Sequence, residues 1–342
     1  MADTKLTALS EVSAPALSDI MYWVADPAGT PASNKISATR LGGLLSPLYT
    51  TGRLTLATGN AAPVADQIDK STLYYTSLTN DGTVTTNPLQ VVLYDGSRLR
   101  LYSNAQVSLS LTLTDAKNYD VFLYDNSGTL TMELSAAWTN GTTRADALAA
   151  QSGIIVKSGA ATRRWIGTIR SSGTDKTEDS GGGFTSQVGG KRFVYNAYNQ
   201  VPRLLAVADD TPSWDYTGAT IRQAGGAAGN KVELVQGRAS ESLFARLVCI
   251  IQSDNNSSQA ASAGIGLDSI TAYATSADGL TFTRSTIYNT SAFLTQAPLT
   301  ASLSGNIGLG YHYLSWLEAG ADGTSTFIGG LSISGLVCQV LM

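Results

Sequence analysis

The amino-acid sequence predicts a mainly β protein in three parts. These are an extended N-terminal anchor segment (1–50), a central antiparallel β domain with one short helix (51–205) and a C-terminal jelly-roll-like β-sandwich (206–342). Three observations predict it. Apolar stretches of strand length recur from about Gly52 onward, and some alternate strictly: Val107, Leu109, Leu111 and Leu113 are separated by Ser108, Ser110 and Thr112, the period of a half-buried strand. Turn signals such as Asp95-Gly96, Ser127-Gly128, Asp278-Gly279 and Asp322-Gly323 punctuate these stretches. No internal repeat of 20–50 residues is visible, which argues against a β-helix or a propeller and leaves a sandwich.

The N-terminal segment carries two short apolar patches, Lys5 to Val12 and Asp19 to Val24, then Pro27 and Pro31, which fix the chain in a turn. Ser37 to Leu45 reads as a short helical or coiled piece. The segment has too little apolar surface for a core of its own, so it is expected to dock elsewhere through Leu6, Leu9, Tyr22, Trp23, Val24, Pro27 and Pro31.

In the central part, Leu89 to Tyr94 and Leu99 to Tyr102 flank Asp95-Gly96, and Tyr119 to Tyr124 and Thr129 to Leu134 flank Asn126-Ser127-Gly128. Both pairs read as hairpins. The helix is expected over Arg144 to Gln151, capped by Thr142 or Thr143 and stopped by Gly153. Strands resume at Ile154–Lys157 and Arg164–Arg170. Ser171 to Gly190, with three consecutive glycines at 181–183, reads as a flexible loop or hinge. An aromatic block, Lys191 to Leu205, precedes a boundary near Ala206. Beyond it, strands are expected at Lys231–Val235, Leu243–Gln252, Gly264–Ala274, Thr281–Ile287, Tyr311–Glu318, Thr324–Ile328 and Leu331–Leu341.

Composition excludes several classes. The chain has 342 residues, 43% hydrophobic and 14% charged, with a net charge of −4. A nucleic-acid partner needs a basic patch to displace counterions. The densest basic pairs, Arg163–Arg164 and Lys191–Arg192, lie in strand-like segments and read as surface ends of strands. No apolar run nears the roughly 20 residues that span a bilayer, and no basic n-region precedes an apolar core as in a secretory signal, so assembly in the cytoplasm is expected. One histidine cannot supply a multi-histidine metal site, and no cofactor motif is present. The two cysteines, Cys249 and Cys338, sit in apolar strands and read as buried small hydrophobes. From Leu247 to Met342 the only basic residue is Arg284, against Asp254, Asp268, Asp278, Glu318 and Asp322. So uncharged a third suits a domain covered by sister subunits.

No catalytic constellation stands out. There is no nucleophile elbow, phosphate loop or zinc-binding His pair. Asp209 with Asp210, and Glu178 with Asp179, are the only acid pairs worth weighing for glycoside hydrolysis, and adjacency in sequence does not give the facing geometry that it needs. Trp214, Tyr216, Tyr311, His312, Tyr313 and Trp316 are candidates for a ligand or subunit contact, because aromatic faces stack on sugars and fill interfaces.

The N-terminal motifs Lys5-Leu6-Thr7-Ala8-Leu9 and Asp26-Pro27-Ala28-Gly29-Thr30-Pro31-Ala32-Ser33-Asn34-Lys35-Ile36 resemble the leader of tailed-bacteriophage virion proteins. Leu93-Tyr94-Asp95-Gly96, Asn118 to Phe122, Thr162 to Arg170 and Lys191 to Asn196 are similar to a further phage structural module. The resemblance covers about the first 205 residues. It implies a non-enzymatic protein located in the virion, of tail-fibre, tailspike or head-decoration type, attached through its leader to other tail, neck or capsid proteins. A homotrimer that presents its C-terminal domain to a host-surface glycan is the expectation. A decoration or cement protein is the alternative, and a polysaccharide depolymerase the least favoured.

Overall fold

The computed structural model describes residues 20–25, 32–37, 48–78, 88–183, 187–253, 259–276, 280–289, 295–320, 324–330 and 334–342. They form 28 strands and a single 3-10 turn, Ala224–Gly226, with no α-helix among the described residues. Strands β1 (Ile20–Ala25) and β2 (Ala32–Ser37) pair only with each other, as an antiparallel ribbon that sets Tyr22, Trp23 and Val24 opposite Lys35, Asn34 and Ser33. Leu6, Leu9, Pro27 and Pro31 lie outside the described residues.

The central part is two facing layers. One holds the sheet of β3 (Gly52–Thr55), β5 (Thr72–Ser77) and β8 (Gln106–Ser110), together with the hairpin β6 (Leu89–Tyr94) and β7 (Leu99–Asn104); β4 (Gln67–Lys70) lies apart. The other holds β9 (Asn118–Asn126), β10 (Thr129–Leu134), β11 (Leu148–Gln151), β12 (Ile154–Lys157), β13 (Ala160–Gly173) and β16 (Val194–Asn196), with β13 between β9 on one side and β12 and β16 on the other. Leu54, Leu73, Val91, Val121, Leu123 and Ile166 fill the space between the layers. Alternation along β9 turns Phe122 the opposite way, where with Trp165 and Tyr195 it joins the C-terminal core.

The expected helix at 144–151 is absent. Gln151 pairs with Ile154, and Ser152 (φ 50°) and Gly153 (φ 86°) form the two-residue left-handed turn that suits a twisted hairpin. The alanines' helix propensity amounts to a few tenths of a kcal/mol per residue, about the weight of a weak prior. It yields to the pairing with Ile154–Lys157. The expected hinge at 171–190 is also corrected. Lys176–Gly183 is β14 and Gly189–Arg192 is β15. Their glycines serve close approach: a Cβ on Gly182 would strike the Ala206 carbonyl oxygen, and one on Gly189 the Lys231 carbonyl oxygen.

The C-terminal part is built on eight strands: β17 (Pro202–Val207), β20 (Lys231–Gln236), β21 (Ser242–Ser253), β22 (Gln259–Leu267), β24 (Ser285–Asn289), β25 (Thr295–Asn306), β26 (Gly310–Ala319) and β28 (Gly335–Leu341). Their registers give one sheet β17-β28-β21-β25 and another β20-β26-β22-β24. Counted along the chain as one to eight, the orders are 1-8-3-6 and 2-7-4-5, both antiparallel, which is the double-sheet jelly roll. The expected division at 205/206 falls inside β17. Short strands extend the sheets: β27 (Ser325–Ile328) beside β21 with β18 (Ser213–Tyr216) beyond it, β19 (Arg222–Gln223) beside β26, and β23 (Thr281–Thr283) beside β25. The stretch expected as one strand over 281–287 breaks at Arg284 and passes from one sheet to the other. At the opposite edge, β14 pairs parallel with β17 and β15 parallel with β20, so the glycine hairpin bridges the sheets and ties them to β4 and β13.

Candidate functional site

The acid pairs weighed for hydrolysis do not converge. Alternation along β14 sends Asp179 to Arg192 (2.9 Å) and Arg203 (3.0 Å), and Glu178 to Lys191 (3.2 Å) and Ser180. Arg53, buried nearby, donates to the main-chain oxygens of Ala61 and Met342, and burial pulls its guanidinium down to about 10. Asp209 is buried as an acceptor for Gln187, Asn230 and the Thr211 N–H; burial works against its charge, but these hydrogen bonds outweigh it and hold the carboxyl below its ordinary value. Glu178, Asp179 and Asp209 are thus committed to protein donors, and Asp210 is exposed on the surface. The basic pairs also differ from expectation, because one member of each turns inward. Arg164 is fully buried and donates to the carbonyls of Leu48, Tyr49 and Val92, and Arg192 is buried between Asp179 and the Leu204 carbonyl.

The sequence did not single out Asp120, the most densely bonded acid of the interior. On β9 it faces away from Val121 and is fully buried. Oδ1 accepts from Trp165 Nε1 (3.0 Å) and Thr168 Oγ1 (2.8 Å), and Oδ2 from Trp138 Nε1 (3.0 Å) and Arg144 Nε (2.9 Å). Burial raises its pKa, opposed by Arg144 and by these hydrogen bonds. Arg144 also donates to the Gly237 carbonyl (2.6 Å), so the cluster links the central layers to the jelly roll.

The six aromatic candidates divide among separate environments. Trp316 is fully buried inside the jelly roll, and Trp214 packs there too, stacked on Phe327 and edge-on to Trp316 at centroid distances of 6.0 and 5.9 Å. Trp214 Nε1 donates to Glu318 Oε2 (2.7 Å), whose Oε1 accepts from Arg222 and the Gly225 N–H. Burial pushes the Glu318 carboxyl up to about 7 against those donors. His312 is buried on the inner face, with Nδ1 on Asp268 Oδ2 at 2.7 Å. Trp316 and His312 are thus buried, and Trp214 is half-buried against the same core. Tyr311 staples the seam within the chain, with Arg170 3.6 Å over its ring, Phe193 at its edge and Glu233 on its hydroxyl. Tyr216 and Tyr313 are half-buried beneath Arg222 and Lys231.

The open face lies on the outside of the sheet β17-β28-β21-β25. Inward residues Leu205, Cys338, Ala245 and Leu303 form one buried rung. The next rung faces outward: Leu204, Gln339, Phe244, Ser304 and, on β23, Thr281. Leu204, Phe244 and Leu341 are 58%, 51% and 47% exposed, unusually high for large apolar side chains on paired strands. Arg246 is the one charged residue on these outward rungs, among Val337, Val248, Ser302 and Thr300. Sequence reasoning missed this face, although one signal was present: Phe244 falls out of phase with Leu243, Ala245, Leu247 and Cys249, which point inward.

Among the described residues, no group of three or more metal-ligating side chains gathers, and no helix is long and apolar enough to cross a membrane. No family model and no curated protein matches the chain. A solved structure of infectious bursal disease virus, Gx strain, aligns with 85% of this chain and 78% of its own at 12% identity and a TM-score of 0.16, which is too slight a likeness to bear on fold or function.

Proposed function

We propose that the chain is a non-enzymatic structural protein of a tailed-bacteriophage virion. It works as a homotrimeric fibre or spike, held to the particle through residues 1–50 and presenting the jelly roll outward for attachment to the host surface. A jelly roll alone does not name a function, since capsid, lectin and cupin domains share it. The observation that carries the reading is the filled interior: Trp316, Phe327, Leu247 and Leu314 occupy the space between the sheets, and the outer sheet face is open and nearly uncharged. Such a domain works through its outside. The leader resemblance and the separate ribbon β1–β2 support attachment at the N-terminal side.

The test is incorporation. Tagged full-length chain is expected in purified particles and chain lacking residues 1–50 is not. Full-length chain absent from particles would end the structural reading, and incorporation of the truncated chain would end the anchor. Excess soluble protein is expected to block infection; a head-decoration role would instead leave infection unblocked and lower the particle's heat resistance when the protein is removed.

A further inference from the structure

We infer that the outward face of β17-β28-β21-β25 is the surface through which copies of this chain contact one another. The inference rests on the oligomeric reading above and assigns it a surface. Its four strands, spaced about 4.8 Å apart and averaging about nine residues that rise 3.3 Å each, present roughly 600 Å² in projection. A standard interface buries about 800 Å² per partner, so this single face supplies most of one.

Composition selects the occupant. The described rungs of this face hold no carboxylate and one guanidinium, Arg246, so a strongly charged partner would find no counter-charges. An apolar side, with Leu204, Leu341 and Phe244, grades into a hydroxyl side with Ser302, Ser304 and Thr300. A second copy brings the same near absence of charge, so either half of this face can be covered by the other half of a neighbour, as the head-to-tail contacts of a three-fold ring require. Phe244 is the natural anchor, an exposed aromatic near the middle of the sheet. Contact here leaves the β1–β2 ribbon free to bind elsewhere, as the attachment reading requires.

Sedimentation equilibrium on the full chain tests this. The wild type is expected to be an oligomer. Phe244→Asp and Leu204→Asp are each expected to weaken association by about 30-fold or more. Their circular dichroism should be unchanged, because both side chains are exposed in the single chain, and any fall in the thermal transition should be no larger than the lost association accounts for. Ile270→Asp, at a 48% exposed site just after β22 of the other sheet, is the control and should keep the wild-type mass. A wild-type monomer at tens of micromolar overturns the inference, as does wild-type mass in both face variants. Self-association appearing only after residues 1–47 are removed also overturns it, since the chain's own N-terminal segment would then be the occupant. Particle incorporation is read separately: an oligomer that never enters particles defeats the virion role and leaves the contact standing.

Discussion

Replacing Asp120 by Asn changes one atom in the most densely bonded acid of the interior, and the geometry sets the cost. The carboxylate accepts four side-chain hydrogen bonds, two on each oxygen. An amide offers only one accepting oxygen. Either orientation points its NH2 at two donors, Trp165 with Thr168 or Trp138 with Arg144. The site is fully buried, so water does not take over the lost acceptor. Arg144, with 15% of its side chain exposed, also loses its counter-charge. Breaking a buried pair from one side costs about 3–5 kcal/mol, a large part of the roughly 5–15 kcal/mol that holds a domain folded. The assay is urea unfolding followed by tryptophan fluorescence, which reports Trp138 and Trp165 directly. Arg144→Gln added to Asp120→Asn should cost less than the two single changes together, with a coupling of about 1–3 kcal/mol. A loss below about 1 kcal/mol for Asp120→Asn would refute the reasoning, because the four bonds would then carry no net weight.

Other predictions follow the same logic. The Glu318 carboxyl moves from its ordinary 4.5 to about 7 on folding, so between these values the folded chain keeps a proton that the unfolded chain has released. Stability from this group is full below about pH 4.5 and is lost as pH rises through 7, and the difference between wild type and Glu318→Gln should vary over that window by about 3 kcal/mol in urea titrations. Gly189→Ala places a methyl against the Lys231 main chain and should lower stability by more than about 2 kcal/mol, whereas Gly173→Ala, with open space around it, should stay within about 1 kcal/mol by thermal denaturation. Burial raises both thiols, Cys338 to about 12. A thiol reagent at pH 8 should leave Cys249 and Cys338 unmodified in the folded protein and react with both in denaturant.

What the sequence made legible was local. The alternation at 107–113 and the turns at Asp95-Gly96 and Ser127-Gly128 depend on neighbours a few residues away, and the structure has hairpins at both turns and strand β8 over Gln106–Ser110, ending before Leu111. What it hid was set by distant partners. Arg164 looks like a strand end until the carbonyls of Leu48, Tyr49 and Val92 arrive, more than seventy residues away in the chain. The glycines at 181–190 look flexible until β17 and β20 press against them. Strand β25 was not predicted, in part because of Pro298, which sits where β25 pairs with β21 on one side only, beyond the reach of β23. The aromatic candidates scatter over separate environments for a related reason: Trp and Tyr mark cores and surfaces alike, and only the register tells them apart.

The position of β28 has a consequence for how the molecule is made. Residues 335–341 lie between β17 and β21, more than eighty residues downstream of the later of the two. As the chain leaves the ribosome, β17 and β21 must wait side by side with a one-strand gap between them and apolar inner faces open on both. Pairings this far apart in sequence are slow to form. The jelly roll can close only when its last-made strand slides into the middle of a sheet, and until then the nascent chain is exposed to strands from other copies. Pairing with strands of other chains and completion of the fold therefore compete for the same edges, and the order in which they occur decides between the folded protein and an aggregate.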